Sequence, residues 1–308
     1  MITRPMLAAT LTKDLMHKVE WPVIATPKID GIRCLIHPEL GPVTRSFKPV
    51  PNNFVRDHLG MIAEDLYLDG ELIVVDAQGR ALPFNDIQSA IMSGAGEPQY
   101  KYLVFDCFAH PSDSYERRLR TAFDHVREIQ EVRANVDRVQ YVTPGKIKEP
   151  DNFFLYHDMM IQNGYEGTML RHPEGPYKSG RSTVPQGWLL KFKNWEDAEG
   201  TIIGFEELMR NDNVDERDKF DLAKRSSKKA GLVPMNTLGA LVLDTPWGEL
   251  RVGSGFDDRA RDEIWQRNRS HPEEESPDLG RRVRFKYQGY GMGELPRFPI
   301  FLGFREGE

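Results

Sequence analysis

The chain of 308 residues has only two cysteines and no long uninterrupted run of apolar residues. Cys34 and Cys107 each lie in an apolar stretch, which favours buried free thiols over a disulfide framework. No cysteine and histidine cluster has the spacing of a zinc site. Because the sequence also lacks a signal-peptide segment and an apolar run of about 20 residues, we predict an intracellular, cytoplasmic protein that does not span a membrane.

The sequence also has little excess of charge of either sign. It contains 41 lysines and arginines against 47 aspartates and glutamates, for a net charge of −6. This balance argues against a protein that coats nucleic acid non-specifically, but it allows a local basic groove, because DNA responds to nearby charge. The hydrophobic content of 39% and the length indicate a globular protein with two domains.

Residues 1–198 have the pattern of an α+β domain. Apolar stretches broken at Asp30-Gly31 and Asp69-Gly70 predict short strands. Apolar residues at helical spacing predict helices over Glu116–Arg133 and over Asp151–Asn163. Together these features predict a largely antiparallel core.

Residues 199–308 change to short strands at turn-rich spacing. Five strand-like segments and one helix near Asp257–Asn268 predict an OB-fold β-barrel. A polar segment over residues 209–235, long enough to be functional or disordered, separates the first two strands. Within it, residues 224–229 carry four cations and no anion, which predicts an arm that contacts the DNA backbone; the alternative is a solvated disordered loop. These cations are Lys224, Arg225, Lys228 and Lys229.

The segment Lys28-Ile29-Asp30-Gly31-Ile32-Arg33 offers the most distinctive chemistry. Side chains two residues apart on a strand share a face, so we expect Lys28 and Asp30 to project together. We expect Gly31 to allow a tight turn, after which Arg33 starts the returning strand. Such a site combines an amine that can attack phosphorus with a carboxylate and a guanidinium. The alternative is a surface hairpin with ordinary ion pairs.

Several later segments carry residues that suit the parts of a nucleotide. Glu71 follows a second Asp-Gly pair, and Phe105 ends an apolar strand. Lys191 and Lys193 alternate with apolar residues on one strand face, an arrangement that costs free energy unless an anion lies between them. With Arg33, the two lysines would form a cationic cradle for an α-phosphate, and Glu166 is the candidate for Mg²⁺.

The order of these segments resembles the motif series of the covalent nucleotidyltransferases, the superfamily of DNA ligases, RNA ligases and mRNA capping enzymes. The series consists of KIDGIR, TRSFK (residues 44–48), LDGEL, YLVFD, EGTMLR and LLKFK. GELRVGSGFDD (248–258) and PRFPIFLGFR (296–305) resemble the barrel motifs of ATP-dependent DNA ligases. The resemblance covers essentially the whole chain and is strongest for the minimal ligases of the Chlorella virus type.

This resemblance implies an ATP-dependent DNA ligase that seals 3′-hydroxyl/5′-phosphate nicks in duplex DNA. In the implied reaction, Lys28 forms lysyl-AMP, the AMP passes to the 5′-phosphate as a DNA-adenylate, and the 3′-hydroxyl then displaces AMP. All three steps are phosphoryl transfers. The implied cofactors are ATP and Mg²⁺, with Mn²⁺ as an alternative ion. The implied partner is nicked duplex DNA, and we expect a monomer without an obligate protein partner.

The resemblance also implies the roles of single residues. The catalytic residues would be Lys28, Asp30, Arg33, Glu166 and Lys193. The nucleotide would be bound by Thr26, Lys28, Ile29, Arg33, Glu71, Phe105, Met169, Lys191, Lys193, Arg297 and Arg305. Phe105 and Met169 would pack on adenine, Glu71 would bind the ribose, and the last two arginines would orient pyrophosphate. Asp30, Glu71 and Glu166 would serve a metal ion. DNA would be bound by Arg45, Phe47, Lys48 and Phe84, together with the four cations of the polar segment.

Two positions depart from the family pattern. Thr26 stands where many ligases have a glutamate two residues before the nucleophile, which leaves the reading of the adenine amino group to the backbone. The chain ends Arg305-Glu306-Gly307-Glu308, whereas the closing motif often continues as x-Asp-Lys. A lysine contact to pyrophosphate is therefore in doubt, although minimal viral ligases share this shortened ending.

Three other functions compete with this interpretation. An mRNA-capping guanylyltransferase shares the Lys-x-Asp-Gly core, but EGTMLR and VGSGF have ligase character. RNA ligases usually lack this barrel domain. A non-catalytic nick-binding module would have no need of Lys28, Glu71, Glu166, Lys191 and Lys193 together.

Overall fold

The computed structural model describes residues 2–63, 66–132, 138–213, 215–217, 223–225, 229–271, 275–289 and 295–305. The chain forms two compact units, Met1–Asn194 and Trp195–Glu308. None of the helices in the described ranges is both long and apolar enough to cross a membrane.

Among its described residues, the first unit contains two five-stranded sheets and four α-helices. Its strands are β1 (Met6–Leu7), β2 (Ala9–Leu11), β3 (Val23–Lys28), β4 (Ile32–His37), β5 (Gly41–Thr44), β6 (Leu68–Val74), β7 (Tyr100–Cys107), β8 (Val139–Tyr141), β9 (Gly145–Ile147), β10 (Gly167–Arg171), β11 (Gly180–Arg181) and β12 (Leu190–Phe192). Its helices are α1 (Asn53–Ile62), α2 (Phe84–Met92), α3 (Tyr115–Val132) and α4 (Pro150–Gln162).

The two large sheets of this unit are mainly antiparallel. One has the strand order β2-β12-β10-β3-β9 and the other the order β5-β4-β6-β7-β8. The pairs β12–β2 and β7–β8 are parallel, and β1 pairs with β11 in a small separate sheet. The predicted α+β class with a largely antiparallel core is confirmed.

The helices agree with the apolar spacing in the sequence. α3 begins and ends within one residue of the prediction, and α4 begins at Pro150, one residue before it. Proline fits the first turn of a helix because the amide that it lacks has no partner within the helix. The Asn52 side chain caps α1 by accepting a hydrogen bond from the Val55 amide at 2.9 Å.

The Lys28–Arg33 segment does not form the expected hairpin. β3 pairs with β10 and β9, whereas β4 pairs with β5 and β6, so the segment passes from one large sheet to the other. Gly31 has no positive φ. A Cβ there would clash with the Leu72 carbonyl oxygen on β6, so the glycine is needed for a close approach of backbones and not for a turn.

Asp69-Gly70 also differs from the prediction, since it lies inside the continuous strand β6 and does not break it. A Cβ at Gly70 would lie 2.6 Å from both the Leu103 carbonyl oxygen and the Tyr102 ring. A glycine within a strand marks such a close approach. The pair therefore places Asp69 in the core, where none of its surface is exposed.

The second unit contains a five-stranded antiparallel sheet in the order β17-β16-β13-β18-β19. These strands are β13 (Glu196–Asn211), β16 (Leu232–Thr245), β17 (Gly248–Val252), β18 (Arg282–Tyr287) and β19 (Ile300–Phe304), and the helix is α5 (Asp258–Arg269). Asp257 caps α5 by accepting a hydrogen bond from the Ala260 amide at 2.7 Å. The predicted OB-type arrangement of five strands and one helix is confirmed.

The polar segment is not wholly irregular. β13 and β16 extend into it, pairing Met209 with Pro234 and Asn211 with Leu232. Two short strands within it, β14 (Asp215–Arg217) and β15 (Ala223–Arg225), pair with each other. The residues between and around these strands, including Lys228, lie outside the described part of the chain.

Candidate active site

A cavity of about 280 Å³ in the first unit collects most of the nucleotide-binding residues predicted from the sequence. It is lined by side chains from both large sheets. The predicted residues that line it are Thr26, Lys28, Ile29, Arg33, Arg45, Glu71, Phe105, Met169, Lys191 and Lys193.

Lys28 is engaged at one edge of this cavity by Glu166, whose two carboxylate oxygens accept hydrogen bonds from Lys28 Nζ and Lys193 Nζ. The pairing of Lys28 with Gly167 in the β3–β10 ladder places Glu166 beside the end of β3. Gly167 has no room for a Cβ, because the Phe192 carbonyl oxygen occupies that space. The end of β3, the start of β10 and the end of β12 thus meet closely enough for the Glu166 carboxylate to bind two lysines.

The lining of the cavity is strongly cationic. Among the described residues it includes one glutamate, Glu71, and seven lysine or arginine side chains. Burial lowers the pKa of Lys191, and the charges of Lys28, Arg181 and Arg45 lower it further. Cations held together against their mutual repulsion are typical of a site for a polyanion.

Glu71 titrates in an unusual range. Burial raises its pKa to about 7, although the charges of Lys28 and Arg33 oppose this rise. A carboxyl group with this pKa is partly protonated near neutral pH and can then donate a hydrogen bond as well as accept one. Such a group suits contact with a ribose hydroxyl, the role that the resemblance implies for Glu71.

The raised pKa of Glu71 predicts a pH dependence of stability. Between the ordinary value of 4.5 and about 7, the folded chain binds this proton more tightly than the unfolded chain. The contribution of Glu71 to the free energy of unfolding therefore falls as the pH rises through this range. As the pH is raised through this range, the free energy of unfolding of Glu71→Gln, measured in urea, should increase relative to that of the parent by about 1–3 kcal/mol. The exposed Glu128→Gln serves as the control, and an equal gain in the control would contradict the assignment.

Arg33 lines the cavity, and its guanidinium is fixed by hydrogen bonds to Asp69 and Met6. Its Nε and Nη2 donate to the Asp69 carboxylate at 2.9 and 2.6 Å, and its Nη1 donates to the Met6 carbonyl at 2.7 Å. The Tyr177 hydroxyl donates to the same carboxylate at 2.7 Å. Burial acts to lower the pKa of Arg33, but Asp69 outweighs it and raises the pKa. Arg33 is therefore a permanent, fixed cation.

Phe105 lines the cavity and contacts two arginines. The Arg33 and Arg171 guanidinium carbons lie 5.6 and 5.2 Å from its ring centroid. Arg171 also lies 4.7 Å from the Tyr115 ring centroid and 3.9 Å from Asp106, the residue after Phe105. These contacts hold the ring in place, and Phe105 is half-buried and lines the cavity.

Some predicted residues lie elsewhere. Asp30 and Phe84 line a second cavity of about 1050 Å³ in the same unit. Lys28 lines the first cavity and Asp30 the second, since β3 ends at Lys28, but the charges of both residues act on the Glu71 carboxyl. Phe47 packs on an apolar cluster and contacts His37, with ring centroids 5.6 Å apart. Lys48 is half-buried.

The three carboxylates predicted to serve a metal ion do not form a group. Across the described residues, no three histidine, cysteine, aspartate or glutamate side chains are placed to hold a metal ion. Asp30 lines the second cavity, Glu71 the first, and Glu166 binds two lysines. The roles of Asp30, Glu71 and Glu166 toward a metal ion stay predictions of the resemblance.

Arg297 and Arg305 belong to the second unit. The Arg305 guanidinium donates to Glu199 at 2.5 Å, and the Arg297 guanidinium carbon lies 5.2 Å from the Phe298 ring centroid. Lys229 in the polar segment is exposed. The side chains of Lys224 and Arg225, and the whole of Lys228, lie outside the described residues.

Two arginines of the cavity were not predicted. Arg171 follows Met169 by two residues on β10, so the alternation of a strand places both on the cavity face. Arg181 lies on β11 and donates to the Ala8 carbonyl at 2.6 Å. Both residues belong to motif-like segments, EGTMLR and YKSGRS, so the face of the strand was the signal that could have identified Arg171.

Two family models match the sequence. The ATP dependent DNA ligase domain matches residues 5–193, a range that contains all the residues lining the 280 Å³ cavity. The DNA ligase OB-like domain matches residues 233–305. The chain belongs to the family of ATP-dependent DNA ligases, which confirms the resemblance drawn from the motifs.

Solved structures and curated proteins agree with this family. The Chlorella virus DNA ligase-adenylate is 30% identical, with 99% of this chain and 100% of that chain covered and a TM-score of 0.56. A Lig E DNA ligase is 22% identical, with 99% and 100% covered and a TM-score of 0.68, a likeness of fold. A DNA ligase of African swine fever virus is 26% identical over 145 residues, 46% of this chain and 32% of its own. A DNA ligase of Halobacterium salinarum is 23% identical over 215 residues, 61% of this chain and 35% of its own. The matched region is thus about a third of these two curated relatives.

Proposed function

We propose that this protein seals nicks in duplex DNA with ATP, through lysyl-AMP on Lys28 and then a DNA-adenylate. The observation that carries the proposal is the cavity that Lys28 lines together with six other cations and Phe105. An amine, an aromatic ring for a base and a cationic lining for phosphates are the parts that adenylyl transfer to a lysine needs.

In the proposed first step, Lys28 Nζ forms a bond to the α-phosphorus of ATP. The bond from that phosphorus to the bridging oxygen breaks, and pyrophosphate leaves with its electron pair. The amine must first lose a proton, and Glu166 is the carboxylate in direct contact that can accept it. Lys191 and Lys193 neutralise charge on the phosphate, with Arg33 fixed beside them.

In the later steps the AMP is transferred to the 5′-phosphate of a nick and then displaced by the 3′-hydroxyl. Arg45 lines the cavity and is exposed, so it is suited to contact a DNA phosphate there. Phe84 is placed in the second cavity, together with Asp30. A requirement for Mg²⁺ and a monomeric state stay predictions of the resemblance, and a cytoplasmic location stays a prediction from the sequence.

The test is incubation of the protein with labelled ATP, GTP or NAD⁺, followed by acid precipitation and by addition of a singly nicked duplex. We expect covalently bound label in the precipitated protein with ATP alone, and sealing of the duplex. An adduct with GTP would favour a capping guanylyltransferase. Nick binding without any adduct would favour a non-catalytic module.

Arg297 and Arg305 are expected to act in the first step only. Substituting either by alanine should slow lysyl-AMP formation about 10²-fold or more, as loss of a single charge-stabilising donor does elsewhere. Closure of a pre-adenylylated nick should change little, because no pyrophosphate leaves in that step. The matched control is Arg259→Ala on the exposed face of α5. Equal losses of rate in lysyl-AMP formation and in nick closure would contradict a role restricted to the first step.

The cations of the polar segment are expected to act on DNA only. Charge reversal at Lys224, Arg225, Lys228 and Lys229 should leave adenylylation intact and weaken binding to nicked duplex. Each DNA phosphate that the protein no longer neutralises lowers the salt dependence of the logarithm of the binding constant by ~0.9. Charge reversal is a better test than deletion of residues 210–233. Such a deletion would remove paired strand residues, since Arg210 pairs with Val233 and Asn211 with Leu232 in the β13–β16 ladder. An unchanged salt dependence would support a passive loop.

A further inference from the structure

His157 is a buried histidine on α4, behind the Lys28–Glu166–Lys193 cluster. Only 2% of its surface is exposed. Its ring meets Phe192 edge-on, with centroids 4.8 Å apart, and stacks on Phe153 at 6.0 Å. Packing alone would be served equally well by a phenylalanine, but both ring nitrogens of His157 are engaged by side chains of other elements.

The two partners of His157 are close in sequence to the cluster. Nδ1 lies 2.9 Å from Thr168 Oγ1, two residues after Glu166. Nε2 lies 2.9 Å from Asn194 Oδ1, directly after Lys193. Since the Glu166 carboxylate binds both Lys28 and Lys193, His157 connects the two chain segments that supply this carboxylate and its second lysine.

His157 makes this connection at strand ends, where few strand-pairing hydrogen bonds hold the chain. β12 ends at Phe192, so Lys193 and Asn194 lie beyond its ladder. Glu166 lies just before β10 and is held by a backbone hydrogen bond from its amide to the Lys28 carbonyl. The Asn194 side chain therefore provides an attachment for a segment that strand pairing does not fix.

The contacts of the neutral ring, the form that burial favours, can be assigned. The Asn194 amide oxygen only accepts, so in this form Nε2 carries the proton and donates, and Nδ1 accepts from the Thr168 hydroxyl. Burial lowers the pKa of His157, while the Asn194 hydrogen bond and Asp158 on the same helix act to raise it and Lys13 lowers it. If Nδ1 also carried a proton, it could no longer accept a hydrogen bond from the Thr168 hydroxyl.

We propose that His157 is a positioning residue for the cluster: in its neutral form it holds Thr168 and Asn194 so that Glu166 and Lys193 meet at Lys28. The proposal rests on the adenylyl-transfer function proposed above. A displacement of reacting groups by about 1 Å reduces the rate of an enzymatic step by about 10²-fold, so a contact of this kind matters even though it does not touch the nucleotide.

The test compares His157→Phe, which keeps the aromatic packing, with His157→Gln, whose amide has a donor and an acceptor. With saturating ATP, His157→Phe should slow lysyl-AMP formation about 10- to 100-fold, and the ATP KM should change less than about threefold. His157→Gln should recover most of the rate. Because glutamine does not titrate, the ratio of the parental rate to that of His157→Gln should fall as the pH is lowered below 6.5, the ordinary pKa of histidine.

Two further variants separate positioning from folding. Phe153→Leu loosens the same apolar contact and keeps both hydrogen bonds, so its rate should stay within about twofold of the parent at temperatures where both are folded. Asn194→Ala removes one acceptor at an exposed residue and should slow the step even if His157→Phe does not fold. A parental rate in His157→Phe or in Asn194→Ala would overturn the proposal, as would an equal loss in Phe153→Leu. A covalent adduct that persists in Lys28→Ala would instead overturn the proposed function.

Discussion

Replacing Lys28 by alanine or arginine is expected to abolish the covalent AMP adduct. Alanine has no nucleophile, and the guanidinium of arginine stays protonated at any accessible pH and cannot attack phosphorus. The measurement is incubation with labelled ATP followed by acid precipitation. Signal from either variant should fall to the level of a reaction without protein.

The same Lys28 variants should still close a nick that already carries a 5′-adenylate. In that step the nucleophile is the DNA 3′-hydroxyl, so the lysine amine is not consumed. Lys18→Ala, an exposed lysine of the same unit, provides the control and should behave as the parent in both assays. A covalent adduct in Lys28→Ala would show that another residue is the nucleophile.

Local sequence patterns predicted the helices and strands that can be recognised from residues close together in the sequence. α3 and α5 could be identified because their apolar residues recur at helical spacing, and Asp257 caps the second of them. The five strands of the second unit could likewise be identified between their turns. These signals lie within a single element and need no knowledge of its partners.

Contacts between elements could not be predicted in the same way. The passage from β3 to β4 looked like a hairpin because Asp-Gly often forms turns, yet each strand pairs with partners far along the chain. Gly31 and Gly70 are required by carbonyl groups on other strands. A sequence shows that a glycine is present, but not which backbone approaches it.

The candidate site shows the same division. The cationic residues of the cavity were predicted as a set from their motifs, and Lys28, Lys191 and Lys193 do line it together. The groups that hold them in place were not predicted. Asp69 fixes Arg33, and His157 binds Thr168 and Asn194, through contacts between residues 36, 11 and 37 positions apart.

Asp69→Asn is expected to be strongly destabilising. Asp69 has none of its surface exposed, and the side chain of its partner Arg33 is 15% exposed. Removing one charge of a buried pair leaves the other without compensation, which costs about 3–5 kcal/mol. Urea unfolding followed by hydrogen exchange of β4 and β6 amides would measure this loss in the first unit. Tyr177→Phe removes one hydrogen bond from the same carboxylate and should cost only about 0.5–1.5 kcal/mol.

The double variant Asp69→Asn, Arg33→Met distinguishes an unpaired charge from a general loss of packing. Methionine removes the guanidinium and keeps much of its length, so the double variant should be more stable than Asp69→Asn alone. If the single variant costs less than about 1 kcal/mol, solvent screens this pair as it does exposed ones. If the double variant is the less stable of the two, packing and not charge controls the site. The expected order would show that the main contribution of Asp69 is to compensate the buried Arg33 cation at the cavity.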